Sequence, residues 1–134
     1  MDIFQYLLEF MMAYKTFEEL KVWQQVRDLR INISVLVAKL PDKERKLLCW
    51  QLIRSSRSVT ANIAEGFGRY HFKENMQYCR QARGSLYEIL DHIICASDEN
   101  YISEVELCIL RRKIENCIRI LNGYLYWMKK ALQD

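Results

Sequence analysis

Gln51-Leu-Ile-Arg-Ser-Ser-Arg-Ser-Val-Thr-Ala-Asn-Ile-Ala-Glu-Gly-Phe-Gly-Arg69 reads as one helix that closes on a pair of glycines. Leu52, Val59 and Ile63, continuing from Leu48, give it an apolar line. Arg54, Arg57, Ser58, Asn62 and Glu65 recur at spacings of three and four, so they share one side. Small residues (Ser55, Ser56, Ala61, Ala64) flank that stripe. The combination predicts a second helix packed close against this one, with groups that satisfy the stripe's hydrogen bonds. Gly66 and Gly68 bracket Phe67, and a glycine just past a helix end favours the left-handed conformation.

The flanking segments repeat the helical period. Thr16-Phe-Glu-Glu19 is a capping box, followed by Val22, Val26, Leu29, Ile33, Leu36 and Leu40 at alternating fours and threes. Pro41 stops that helix. Asp42 is a candidate cap for the next, which is expected from about residue 43 to residue 65. Phe72, Met76, Cys79, Arg83, Leu86, Leu90 and Ile93 mark a third helix, ended by Ser97-Asp-Glu-Asn100. Its central Gly84 costs about 1 kcal/mol relative to alanine, which predicts a close helix approach there. Ser103-Glu-Val-Glu106 is a second capping box, opening a fourth helix through Leu107, Leu110, Ile114, Cys117, Leu121, Leu125, Met128 and Leu132. Gly123 lies within this last helix. Four long helices with short connections predict an all-α fold, an antiparallel up-down-up-down four-helix bundle spanning residues 16–134.

Composition agrees with one helical domain. The 134 residues include one proline and four glycines, too few for the many turns of a strand-rich fold. The net charge of +3 permits nucleic-acid binding without requiring it. The five cysteines (Cys49, Cys79, Cys95, Cys108, Cys117) form no CxxC pair, which predicts reduced thiols in a cytoplasmic protein. No apolar run reaches the ~18–20 residues of a membrane span. Residues 1–15 form an N-terminal extension. Either it is a short amphipathic segment or translation begins at Met11 or Met12.

Four blocks carry a resemblance. They are Phe17-Glu-Glu-Leu-Lys-Val-Trp23, Leu40-Pro41, Asn62-Ile-Ala-Glu-Gly-Phe-Gly-Arg69 and Ala82-Arg-Gly-Ser-Leu-Tyr-Glu88. In this order they resemble the small four-helix-bundle proteins encoded in intervening sequences of bacterial 23S ribosomal RNA genes. Val59-Thr60 departs from the isoleucine and proline common in that family, and His71 from its usual serine or threonine cap. The resemblance implies a cyclic homo-oligomer, often a pentamer. A related accessory protein of diversity-generating retroelements binds a reverse transcriptase and nucleic acid, which implies the same two classes of partner here. The family name records a genomic location, not a reaction.

Three sets of residues are candidates for function. Arg54, Asn62, Glu65, Ser85 and Glu88 are expected to form a buried polar network between the second and third helices, with Arg54 forked onto Glu88 and Asn62 reaching toward Met76. Breaking such a buried pair costs ~3–5 kcal/mol. The alternative is that these groups face a shared groove and contact a ligand. Arg57, Arg69, Lys73, Arg80 and Arg83 flank the turn between the same helices as candidate nucleic-acid-binding residues, set against a solvated charged face interleaved with Glu74. Tyr70, Phe72 and Tyr78 nearby are candidates for base stacking or for the core. Trp23, Trp50 and Trp127 lie beside the apolar seams and are candidates for an oligomer interface or for the edge of the core.

No catalytic constellation emerges. His92 follows Glu88 by four residues, but a di-iron bundle needs two Glu-x-x-His pairs and two further glutamates. No phosphate loop, nucleophile elbow or metal-ligand cluster is present, so no cofactor or metal is expected. The sequence predicts a noncatalytic oligomeric module that binds nucleic acid, a nucleic-acid-acting protein such as a reverse transcriptase, or both. The alternatives are an interaction scaffold without nucleic-acid affinity and a small-molecule or metal-binding bundle.

Overall fold

A computed structural model describes residues 1–133; Asp134, the last residue of the expected bundle segment, lies outside the described residues. Among the described residues there are five α-helices and no strand. They are α1 (Ile3–Ala13), α2 (Lys21–Lys39), α3 (Leu48–Gly68), α4 (Phe72–Asp98) and α5 (Glu104–Gln133), with 3-10 turns at Phe17–Glu19 and Asp42–Glu44. The all-α expectation holds, with one more helix than the four expected.

Most residues of the predicted seams form the core, while Leu132 is exposed and Arg83, Leu90 and Leu107 are only partly buried. Val22, Val26, Leu29, Ile33, Leu36 and Leu40 are all buried, as are Leu52, Val59 and Ile63 of α3 and Leu86 and Ile93 of α4. Ile114, Leu121 and Met128 extend this core along α5. Helix α3 packs against α2 and α4, and α5 packs against α4 and α2. Along α3 and α4, partner numbers fall as they rise: Arg54 meets Glu88, Ser58 meets Ser85, and Gly66 meets Asn75.

The N-terminal extension is a helix that docks on α5. Phe10 anchors it, with ring centroids 5.2–5.6 Å from Tyr14, Phe67, Phe72 and Trp127. Asp2 caps the helix through a 2.9 Å bond from the Gln5 N–H.

Several helix ends differ from expectation. Thr16 caps the short turn at Phe17–Glu19 rather than an α-helix, and α2 starts only at Lys21. Asp42 sits inside a 3-10 turn and pairs with Arg45 at 2.7 Å, so α3 begins later, at Leu48. Gly66 and Gly68 both remain helical, and the left-handed residue is Tyr70, at φ 56°. By contrast, α4 ends where expected. Asn100 adopts φ 59°, its N–H reaches the Ser97 carbonyl, and the Tyr101 N–H reaches that of Ala96. These two bonds satisfy the last carbonyls of the helix. Ser103 and Glu106 exchange the expected capping contacts at the start of α5.

The close helix approach is at Gly66, not Gly84. A Cβ at Gly66 would lie 2.6 Å from Asn75 Oδ1, whereas one at Gly84 or Gly123 would meet nothing within 4 Å.

Candidate nucleic-acid interface

The polar stripe of α3 finds its partners on α4, but at the surface. One guanidinium nitrogen of Arg54 donates to both Glu88 carboxylate oxygens, at 2.7 and 2.9 Å. The two side chains remain 45% and 36% exposed, so the expected burial of this pair is corrected. Arg54 also reaches Gln51 Oε1 and lies over the Trp50 ring. Ser58 and Ser85 hydroxyls meet at 3.1 Å. Asn62 donates back to the Ser58 carbonyl and hydroxyl of its own helix instead of reaching toward Met76. Glu65 is exposed and pairs with Arg69 at 3.6 Å.

The buried polar contact is elsewhere. Asn75 is buried where α4 crosses Gly66, and it donates to the Tyr124 hydroxyl on α5 at 2.9 Å while accepting from the Cys79 thiol. Burial pushes the Tyr124 phenol well above its ordinary range, and the Asn75 contact opposes that rise. Burial likewise pushes Cys79 up to about 12 and Cys117 to about 11. Sequence reasoning missed Asn75 because an asparagine one turn into a charged helix start reads as surface. The available signal was its place across the turn from a glycine.

The five candidate cations separate into two groups. Lys73, Arg80 and Arg83 line two adjoining grooves between α4 and α5, of about 550 Å³ and 300 Å³, which share Met76 and Arg80. Helix α5 contributes Asn122, Leu125, Tyr126 and Lys129 to the smaller one. Arg83 is oriented by a 2.8 Å bond to Asn122 Oδ1. Glu74 is the sole carboxylate among the lining residues of both grooves. Arg69 is instead held at the end of α3 by the Tyr78 hydroxyl and Glu65, and Arg57 is exposed on α3. Of the three aromatic residues considered for stacking, Phe72 is buried, Tyr78 is engaged by Arg69, and Tyr70 is exposed.

The tryptophans also part company. Trp23 is buried against Phe17, with Arg27 over its ring. Trp127 packs against Tyr6, Phe10 and Phe72 within the chain. Trp127 still keeps 37% of its surface exposed, and Trp50 is the most exposed of the three, at 57%, next to exposed Leu47.

A further groove of about 470 Å³ lies among α1, α2 and α5 and is lined by Phe10, Tyr14, Tyr124 and Trp127. Its charged lining is one lysine and one glutamate, Lys21 and Glu9, so it offers a polyanion no net attraction. Among the described residues no group of three His, Cys, Asp or Glu side chains is placed to hold a metal ion. His92 Nε2 is buried without a hydrogen-bond partner. Among the same residues no helix is long and apolar enough to cross a membrane.

Residues 18–123 match the family described as 23S rRNA-intervening sequence protein. The chain belongs to that family. The match takes in α2, α3, α4 and most of α5, and leaves α1 outside. A search of curated proteins returned no match. The family match takes in the α4 wall of the grooves and Asn122, while Leu125, Tyr126, Lys129 and Leu132 of α5 lie beyond it, and the family's description assigns no chemistry to either wall.

Proposed function

We propose that this chain is a noncatalytic helical module that binds the phosphate backbone of nucleic acid along the α4–α5 grooves. The observation that supports this most is the clustering of Lys73, Arg80, Arg83 and Lys129 around two joined depressions with one opposing carboxylate. Cations so placed attract a polyanion and release its counterions, a term that carries no sequence information by itself. Helices α2 to α5 are read as an antiparallel up-down-up-down four-helix bundle, supported by the opposed numbering of the α3–α4 contacts. The proposed setting is the cytoplasm, in keeping with five free cysteines.

Self-association belongs to the same reading. Leu47 and Trp50 at the start of α3, Ile31 and Val35 on α2, and Val105 and Ile109 on α5 are exposed apolar residues at different helices. Patches on separate helices suit head-to-tail contacts that close into a ring, which would repeat the basic grooves around an axis. The same apolar surfaces favour the second reading, a scaffold for a protein that acts on nucleic acid, such as a reverse transcriptase.

Salt dependence separates the two. Four phosphate contacts per chain predict that log affinity falls with log salt at a slope of about −3 to −4. Replacing Arg80→Glu together with Arg83→Glu should leave helical content intact and abolish most retention at low salt. Retention that ignores both salt and this double substitution would remove the grooves from the binding surface, and no retention at low salt would leave the scaffold reading standing alone.

A further inference from the structure

Tyr126 is the feature of the α4–α5 groove that phosphate binding does not use. It is 62% exposed and lines the same depression as Arg80, Arg83 and Lys129. Among the described residues, the other exposed aromatic side chains on the long helices, Trp50, Tyr87 and the partly packed Trp127, line neither basic groove. The depression has an apolar floor, since Met76 and Leu125 are both buried. Asn122 stands one helical turn before Tyr126 and fixes Arg83 on α4. Lys129 and Lys130 stand one turn after it, and the Lys130 ammonium lies 5.8 Å from the Tyr126 ring centroid. An aromatic ring therefore sits between cations along the groove, over an apolar base.

Resting on the phosphate-binding reading above, we propose that the groove takes single-stranded nucleic acid, with one base stacked on Tyr126 and the adjoining phosphates on Arg80, Arg83 and Lys129. The physical reason is access to a base face. In a duplex each base is covered above and below by its neighbours, so the cations can be used but the ring cannot. An unpaired base offers a free π-face to an aromatic side chain. The groove is also short. Arg83 and Lys73 are ten residues apart on one helix, about 15 Å by the helical rise, which is the reach of a few nucleotides. Stacking of this kind tolerates any base, so the proposal carries no sequence preference.

The test uses the full chain with an oligoadenylate containing one 2-aminopurine, alongside a duplex of equal length, at matched salt. Wild-type protein should bind the strand more tightly than the duplex and quench the 2-aminopurine fluorescence. Tyr126→Ala should weaken strand binding about tenfold or more, leave duplex binding and the salt slope unchanged, and lose the quench. Tyr126→Phe should retain both affinity and quench. Unchanged strand affinity in Tyr126→Ala, with the salt slope intact, overturns the stacking while the phosphate reading survives. An equal loss on strand and duplex also overturns it. Absence of salt-dependent binding by the wild type removes the phosphate reading itself, and this proposal with it.

Discussion

Adding a single methyl group at Gly66 should separate α3 from α4, and the cost can be worked from the contacts. In an open helical position, alanine for glycine stabilises by up to about 1 kcal/mol. At Gly66 the new Cβ would fall 2.6 Å from Asn75 Oδ1, 3.0 Å from Tyr78 Cβ and 3.1 Å from the Asn75 carbonyl oxygen. The last of these is backbone and cannot swing away. Moving α4 outward strains a packed seam, at about 1–3 kcal/mol. Turning the Asn75 amide instead breaks its bond to the Tyr124 hydroxyl in a buried site, at about 1–3 kcal/mol. Either route outweighs the gain in helix propensity, and Gly66→Ala should destabilise by roughly 1–3 kcal/mol net. Gly84→Ala is the matched control in the neighbouring helix. Nothing lies within 4 Å of its new methyl, so it should be neutral or stabilising by up to about 1 kcal/mol. Urea unfolding followed by helical signal gives both values from the shift in midpoint at constant slope. A Gly66→Ala midpoint at or above that of Gly84→Ala would refute the close-approach argument.

Further outcomes concern the seam and the thiols. Glu88→Ala should cost less than about 1 kcal/mol, because its pair with Arg54 is half exposed and screened by water; a loss of several kcal/mol in the same unfolding assay would mean the pair is buried in solution. In native protein, iodoacetamide should label exposed Cys108 well before Cys79 and Cys117, which burial keeps protonated and enclosed. Mass mapping of the adducts decides this, and rapid native labelling of Cys79 would contradict its placement. The same two thiols give a pH dependence. Their native pKa values, about 12 and about 11, lie above the ordinary 9.0, so the native state holds protons that the unfolded chain releases. Stability from this source is intact below about pH 9 and falls as the pH climbs toward 12; unfolding midpoints that rise over that window would run against the sign.

The helices from α2 onward were legible because their apolar residues keep a strict helical period, as Val22 to Leu40 shows on α2. Pairing of Arg54 with Glu88 was also legible, since residue counting from a single turn sets which groups lie opposite. Burial of that pair was not, because periodicity fixes a direction around the helix and not the depth at which a neighbour meets it. Long arginine and glutamate side chains reach each other over the top of the seam, while the short Ser58 and Ser85 fill it. The glycines show the same gap. Gly66 reads as a helix-end glycine and Gly84 as a mid-helix one, and only the neighbouring helix shows that the first lies under Asn75 and the second in open space. Tyr126 escaped notice because the helical period of α5 marks its buried seam but not which exposed positions border α4, and the cations beside it, Arg80 and Arg83, lie more than forty residues earlier in the chain. Apolar α1 carries its period in a short segment, and what decides its docking is the cluster around Phe10, assembled from Phe67, Phe72 and Trp127 far along the chain.

Helix α4 links the packing to the proposed function. One face is held against α3 by the Gly66–Asn75 approach and the Ser58–Ser85 contact. Asn75 then carries the connection across to α5 through Tyr124, and Arg83 makes a second bridge through Asn122. Tyr124 and Asn122 are two residues apart on α5, while Asn75 and Arg83 are eight apart on α4, so the two bridges fix both the spacing and the slide of these helices. The basic groove is the gap between them. Its shape depends on that fixed relation, because Lys73, Arg80 and Arg83 come from one wall and Tyr126 and Lys129 from the other. Disturbing Asn75 should therefore weaken nucleic-acid retention without removing any charge. Asn75→Ala, folded and of unaltered net charge, should bind more weakly than wild type at equal salt yet keep the same salt slope, since the phosphates contacted are the same and only their alignment is lost. Affinity equal to wild type would show that the cations act as a loose cloud, indifferent to how the two helices are locked.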